Sequence, residues 1–136
     1  KMLQLPKRIT IKEVGPRDGL QIEKQPIPTE TKVEIINRLS RCGFEDIQTT
    51  AFVHPKAVPN MADAEAVLAG IERRPGVVYS ALIPNYRGFQ RAVQAGAKRV
   101  ELTLSATDSH NINNMNMTTE ESLAMIEKCD WEIPPA

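Results

Sequence analysis

Val14-Gly15-Pro16-Arg17-Asp18-Gly19-Leu20-Gln21 is the stretch of sequence that decides the fold. It follows residues 9–14, where apolar and polar side chains alternate as they do in a β-strand. Gly15 and Pro16 end that strand, so the charged pair Arg17 and Asp18 lies where a strand gives way to a loop. In a parallel α/β protein this position is the carboxyl-terminal edge of the sheet, where ligands bind.

The order strand then helix occurs four times along the chain. Apolar runs predict strands that begin near residues 9, 46, 77 and 99, and helical periodicity predicts helices at 29–42, 62–71, 86–95 and from 118 onward. This alternation predicts parallel strands joined by right-handed helical crossovers. In every unit the unusual residues follow the strand and the loops after the helices are short, which is typical of a β/α barrel.

Four such units make half of a complete barrel, which needs roughly 200–250 residues. We therefore predict the fold class α/β, with half of a TIM barrel built from four parallel βα units. It forms a single partial domain over residues 1–136, with an irregular tail at 129–136. We expect the chain to be a piece of a larger enzyme. The alternatives are two copies that complete each other as a homo-oligomer, or a small open α/β domain.

The composition argues against several classes of function. The chain carries 17 basic and 17 acidic side chains, so electrostatic binding of nucleic acid has no support. No apolar run approaches the roughly 20 residues of a membrane-spanning helix, so we expect no membrane partner. Cys42 and Cys129 lack CxxC spacing, which indicates reduced thiols and a cytoplasmic location. The sequence has no GxGxxG or GxxxxGKS phosphate loop and no GxSxG nucleophile motif.

Polar side chains at the strand ends are the candidates for chemistry. Asp18 offers hard oxygen ligands to a divalent cation, and the guanidinium of Arg17 is suited to stabilise an enolate or carboxylate oxygen beside it. A salt bridge that only ties down the loop is an equally good interpretation of this pair. Gln48, inside the second strand, can orient a substrate oxygen but cannot act as a base. His54 and His110 are weaker candidates, more typical of surface and loop positions.

Four strand-end stretches form a specific pattern in this order. They are residues 14–21, Thr50-Ala51-Phe52-Val53-His54-Pro55-Lys56, Pro84-Asn85-Tyr86-Arg87-Gly88-Phe89 and Ser105-Ala106-Thr107-Asp108-Ser109-His110-Asn111. Together they resemble the 3-hydroxy-3-methylglutaryl-CoA lyase family, and the resemblance runs from about residue 9 to residue 128.

The resemblance implies a carbon–carbon lyase, with this chain as the N-terminal half of a TIM barrel. These lyases cleave 3-hydroxy-3-methylglutaryl-CoA to acetyl-CoA and acetoacetate with a divalent cation, usually Mg²⁺ or Mn²⁺, so an acyl-CoA is the expected partner. Asp18 matches the carboxylate metal ligand, and Arg17 matches the arginine that stabilises the developing enolate. Gln21 matches a glutamine near the metal and the substrate. Lys24 falls in the loop that faces the CoA end.

Two departures from the family pattern affect this site. The family has a glutamate in the second strand, in the form Ile-Glu-x-Thr/Val-Ser-Phe-Val, where this chain has Gln48 and then Ala51. Gln48 occupies this catalytic position. Its side chain has the shape of glutamate but not its negative charge. The family's His-x-His metal pair and its cysteine loop belong to the later half of the barrel and have no counterpart in this sequence. We therefore expect the 136 residues alone to be inactive.

These observations leave three hypotheses open. The first is part of an acyl-CoA lyase, or of a divergent relative that acts on another 3-hydroxyacyl-CoA or on a 2-oxo acid, which Gln48 favours. The second is a truncated, non-catalytic homologue that binds an acyl-CoA or a partner chain. The third is a half-barrel that dimerises through its open edges.

Overall fold

The structure, a computed structural model, describes residues 5–130 and contains a parallel sheet covered by helices. The strands are β1 (Lys12–Glu13), β2 (Asp46–Ala51), β3 (Val78–Ile83) and β4 (Val100–Leu102). The helices are α1 (Thr29–Leu39), α2 (Ala64–Gly70), α3 (Tyr86–Gln94), α4 (Asp108–Met115) and α5 (Thr119–Asp130). The four strands are all parallel and pair in the order β1-β2-β3-β4. The predicted succession of four parallel strand–helix units is confirmed.

An apolar core lies between the sheet and the helices. It includes Ile36, Ile47, Phe52, Val67, Tyr79, Ala81, Ile83 and Phe89. Successive side chains of a strand point to opposite faces, so the residues that alternate with these core positions point away from the helices. We call this second face the inner face of the sheet. Asp46 and Gln48 of β2 and Glu101 of β4 are among them, and this polar inner face supports the candidate site.

A β-bulge in β2 changes which side chains face inward. Gln48 pairs with Ser80, but the next residue in register is Thr50, which pairs with Ala81. Thr49 is therefore an extra residue, and after it the alternation is inverted. Thr50 is buried and its hydroxyl contacts the sulfur of Met61, 3.7 Å away. Bulges of this kind redirect side chains near functional sites.

The first strand is shorter than the predicted residues 9–14. Only Lys12 and Glu13 pair with β2, opposite Asp46 and Ile47. The apolar residues at positions 9 and 11 that suggested a longer strand are largely exposed, and no strand among residues 5–130 pairs with them. The segment that carries Arg17 follows directly, and the Arg17 side chain contacts Gln48 of the neighbouring strand β2.

The polar segment 105–117, predicted as a loop, contains helix α4. Asn111, whose side chain is fully buried, ties this helix to the neighbouring segments. Asn111 Oδ1 accepts a hydrogen bond from the backbone of Ser105 at 2.9 Å, and Nδ2 donates to Met117 O at 2.9 Å and to Ser122 Oγ at 2.7 Å. The prediction failed because Asn, Asp and Ser favour turns locally, whereas this asparagine is satisfied by distant groups.

The last helix begins where the sequence predicts it. The backbone amide of Thr118 donates to Glu121 Oε2 at 2.8 Å, and the amide of Glu121 donates back to Thr118 Oγ1 at 3.1 Å. This reciprocal pair is a capping box. The helix reaches Asp130, so the predicted irregular tail is wrong for residues 129 and 130. The remainder of the predicted tail lies outside the described residues.

We predict that Asn111→Ala destabilises the protein by roughly 2–3 kcal/mol, because it leaves several buried polar groups without a partner. Asn114→Ala, in the same helix but exposed, is the matched control and should cost less than about 0.5 kcal/mol. Urea unfolding followed by circular dichroism measures both changes. Equal losses in the two variants would contradict the anchoring role of Asn111.

Candidate active site

A tight turn after β1 positions the charged pair. Residues Gly15–Gly19 form a single π-helical turn, in which the backbone amides of Arg17 and Asp18 both donate to Val14 O, at 3.0 and 2.7 Å. Glu13 Oε1 accepts from the backbone amide of Gly15 at 2.6 Å, which ties the turn to the strand. Single π-turns occur frequently at functional sites. The turn leaves the Arg17 side chain 17% exposed and the Asp18 side chain 59% exposed.

The guanidinium of Arg17 has two partners in the structure. Its Nη1 donates to Asp18 Oδ1 at 2.7 Å, and its Nε donates to Gln48 Oε1 at 2.5 Å. The structure therefore brings Arg17, Asp18 and Gln48 together. The salt bridge of the alternative interpretation is present, but Arg17 is also held from below by a buried amide of the sheet.

A charged network continues from Gln48 across the inner face of the sheet. Gln48 Nε2 donates to Glu101 Oε2 at 2.5 Å, and Lys12 donates to the other oxygen, Oε1. Asp46 Oδ2 lies 3.5 Å from Lys12 Nζ and 3.4 Å from Arg99 Nη1. With Arg17 and Asp18 the network holds three cations and three carboxylates, so its formal charge is balanced.

Glu101 is the titratable group most affected by this network. Burial acts to raise the pKa of its carboxyl group, but the interactions with Lys12, Ser80 and Gln48 outweigh burial, so its pKa lies below the ordinary 4.5. Glu101 is therefore ionised in the folded protein at neutral pH.

A cleft of about 660 Å³ opens above the network, at the carboxyl ends of the strands. Its lining includes Arg17, Gln21, His54, Asn85, Asn113 and Asn116. It thus combines one cation with several amides, a set that can orient carboxylate, carbonyl and hydroxyl oxygens. This is the edge at which α/β barrels bind their ligands.

The predicted site residues occupy different positions relative to the cleft. Arg17 and Gln21 line it, and Asp18 lies beside Arg17 at the surface. Gln48 lies beneath Arg17 and is 3% exposed, so it supports Arg17 rather than facing the cleft. Lys24 is exposed and is not among the lining residues. No group of three or more His, Cys, Asp and Glu able to hold a metal occurs in residues 5–130, so Asp18 accounts for one ligand at most.

Sequence reasoning gave too little weight to some residues and missed others. His54 lines the cleft, and its position directly after β2 was the available signal, since Arg17 follows β1 in the same way. His110 instead contacts Ser105 Oγ at 2.6 Å and is not a lining residue. Glu101 and Lys12 were not candidates at all. The sequence feature that could have identified them is that each is a charged residue inside a predicted strand, with apolar residues of the same strand before and after it.

The lowered pKa of Glu101 predicts a pH-dependent contribution to stability. A carboxyl group whose pKa is lower in the folded than in the unfolded state stabilises the protein above its ordinary pKa, and this contribution is lost as the pH falls through the folded value. The stability difference between wild type and Glu101→Gln should therefore shrink between pH 7 and about pH 3.5. Thermal unfolding at both pH values measures it, with exposed Glu120→Gln as control. A pH-independent difference would contradict the prediction.

Comparisons with known proteins agree with the geometry. The chain is 49% identical over 123 residues to the hydroxymethylglutaryl-CoA lyase YngG of Bacillus subtilis, an alignment that covers 90% of this chain and 41% of that protein. It is 50% identical over 118 residues to the mitochondrial hydroxymethylglutaryl-CoA lyase of Rattus norvegicus, covering 87% of this chain and 36% of the relative. The chain thus spans about two fifths of the length of these relatives.

Solved structures of lyases have the same fold. The Bacillus subtilis HMG-CoA lyase superposes with a TM-score of 0.90 at 46% identity, over 96% of this chain and 44% of the lyase. An HMG-CoA lyase from Acinetobacter baumannii, in complex with coenzyme A and 3-methylmalate, superposes with a TM-score of 0.87 at 44% identity, over 94% and 42% of the two chains.

These matches also bear on the predicted location. Several eukaryotic relatives are mitochondrial lyases, so membership of this group does not imply the cytoplasm. In the part of the chain that the structure describes, no helix combines the length and the apolar character needed to cross a membrane.

The family model for HMGL-like proteins matches residues 8–131, nearly the whole chain. The chain belongs to the HMGL-like family, and its fold corresponds to the N-terminal part of the TIM barrel of the hydroxymethylglutaryl-CoA lyases.

Proposed function

We propose that the complete protein containing this chain is a divalent-metal-dependent carbon–carbon lyase. Its substrate is a 3-hydroxyacyl-CoA, with 3-hydroxy-3-methylglutaryl-CoA as the first choice, and its products are acetyl-CoA and acetoacetate. The observation that carries the proposal is the position of Arg17. Its guanidinium is held by Gln48 and Asp18 and lines a cleft at the carboxyl ends of the strands.

Arg17 suits the charge that develops in such a cleavage. A base takes the proton of the tertiary hydroxyl, the C–O group becomes the ketone of acetoacetate, and the carbon–carbon bond breaks. Its electron pair moves to the thioester as an enolate, which a proton then converts to acetyl-CoA. A guanidinium cannot give up its proton at neutral pH, so it serves as a fixed donor to the enolate oxygen. Because Nε and Nη1 are already occupied, the rest of the group is available to the cleft.

The neighbouring residues suit substrate binding. Gln21 lines the cleft, and its amide can orient a carboxylate or carbonyl oxygen of the acyl group. Lys24, exposed on the loop that follows, is proposed to meet the anionic CoA end. The lyase from Acinetobacter baumannii that this chain resembles was solved with coenzyme A, which supports an acyl-CoA as ligand.

Asp18 fits the role of a metal ligand. Its carboxylate is 59% exposed beside the cleft, and oxygen donors of this type suit Mg²⁺ and Mn²⁺. A bound cation would polarise the substrate oxygens as a Lewis acid. Since residues 5–130 hold no cluster of three metal-binding side chains, the other ligands would come from elsewhere in the complete protein.

The second candidate is a homologue that binds an acyl-CoA without cleaving it. The amide of Gln48, which takes the place of the acid in the family pattern, favours it. Activity measurements on the complete protein separate the two candidates, because both predict acyl-CoA binding and only the first predicts release of acetoacetate.

We predict that Arg17→Gln in the complete protein lowers kcat for 3-hydroxy-3-methylglutaryl-CoA by about 100-fold or more, since a donor to the developing charge is lost. KM should change much less. A coupled assay for acetoacetate measures both constants. Arg38→Gln, which removes an exposed arginine of α1 paired only with Glu34, is the matched control. Full activity of Arg17→Gln would exclude the proposed role.

We predict that chelation with EDTA abolishes the activity and that added Mn²⁺ restores it. In Asp18→Asn the Mn²⁺ concentration for half-maximal activity should rise about tenfold or more, because a charged ligand becomes neutral. Glu34→Gln, at an exposed carboxylate of α1, is the control. An unchanged Mn²⁺ dependence in Asp18→Asn would remove this residue from the metal site.

A further inference from the structure

The amide of Gln48 connects two charged groups that do not touch each other. Its Oε1 accepts from Arg17 Nε and its Nε2 donates to Glu101 Oε2, both at 2.5 Å. A guanidinium only donates and a carboxylate only accepts, so these neighbours fix the direction of the amide. Gln48 is 3% exposed, which limits competition from water. The orientation of Arg17 thus depends on a carboxylate in another strand.

The family pattern places a carboxylate where Gln48 lies, in direct reach of Arg17. In this chain that position offers Arg17 only the partial charge of an amide oxygen. The full negative charge lies one hydrogen bond further away, on Glu101 of β4. The other acidic partner of Arg17, Asp18, is 59% exposed, and exposed pairs fix a side chain weakly.

The surroundings of Glu101 keep both of its oxygens acting as acceptors. Lys12 donates to Oε1 and Gln48 to Oε2. Asp46 lies 3.5 Å from Lys12 and 3.4 Å from Arg99, so no cation of this group is without an acid. A glutamine at position 101 would present one oxygen and one NH₂ group to two donors, and one donor would face another.

We infer that Glu101 is a positioning residue that acts through Gln48 to hold Arg17 where it lines the cleft. The two residues together replace the single glutamate of the family pattern. The catalytic readout of this inference rests on the proposed lyase function.

The test exchanges the acid and the amide in the complete protein. Gln48→Glu alone sets two carboxylates at hydrogen-bond distance, and Glu101→Gln alone sets two donors against one oxygen. Each should lower kcat about tenfold with a smaller change in KM. In the double variant Q48E/E101Q every donor again meets an acceptor and the net charge is unchanged. Its kcat should return to within about threefold of wild type.

Three results of this experiment would overturn the inference. The first is a wild-type kcat in Glu101→Gln. The second is a double variant no better than the weaker single variant. The third is a double variant that regains the melting temperature but not kcat, since that identifies a purely structural role. Glu72→Gln, at an exposed carboxylate paired with Arg41, controls for the loss of a surface charge.

A second readout does not depend on the lyase reaction. In protein labelled with ¹⁵Nε-arginine, the Nε–H signal of Arg17, assigned with Arg17→Lys, reports its bond to Gln48. It should exchange slowly with water in wild type and Q48E/E101Q, and at least about tenfold faster in Glu101→Gln. If wild type does not cleave the substrate, the proposed function fails, and this signal still decides the inference. An unchanged signal in Glu101→Gln overturns it.

Discussion

Charged side chains on the inner face of a sheet are stable only when opposite charges and hydrogen bonds compensate their loss of water. Lys12 and Glu101 meet this condition, and Gln48 extends it to Arg17. Asp46 meets it in part, because Oδ2 lies near Lys12 and Arg99 whereas Oδ1 is buried without a hydrogen-bond partner in residues 5–130. Removal of one member would leave its partners with fewer compensating charges and hydrogen bonds. The network therefore constrains the register of the sheet as well as the site above it.

The opposite face of the sheet follows a different rule. There the strands pack apolar residues such as Ile47 and Ile83 against the helices, and burial of apolar area supplies the driving force. The bulge at Thr49 lets β2 place polar side chains on the inner face and still bury other side chains against the helices. It keeps Gln48 inside and directs Thr50 outward to Met61. Without the bulge, regular alternation would place both side chains on the same face of the sheet.

The sequence predicts the parts of this structure that depend on local patterns. Strand and helix alternation gave four parallel units because hydrophobic periodicity reports which face is buried. The pattern 14–21 identified Arg17 and Asp18, and a polar amide inside the second strand identified Gln48. By contrast, helix α4 was missed because Asn111 finds its partners in the following loop and helix, and turn propensity does not report them. Glu101 was missed because its contact with Gln48 joins residues 53 positions apart.

Because Gln48 and Glu101 are in contact, the residue at position 48 taken alone is a poor guide to function. Viewed alone, Gln48 in place of glutamate indicates a lost charge and a weakened site. Within the network, the amide of Gln48 links Arg17 to the charged carboxylate of Glu101. It can do so because an amide accepts at one end and donates at the other, whereas a carboxylate can only accept. A glutamate at position 48 needs a donor at 101, and a glutamine at 48 needs an acceptor there. The two positions are thus coupled by hydrogen-bond polarity, so the meaning of either residue depends on the other.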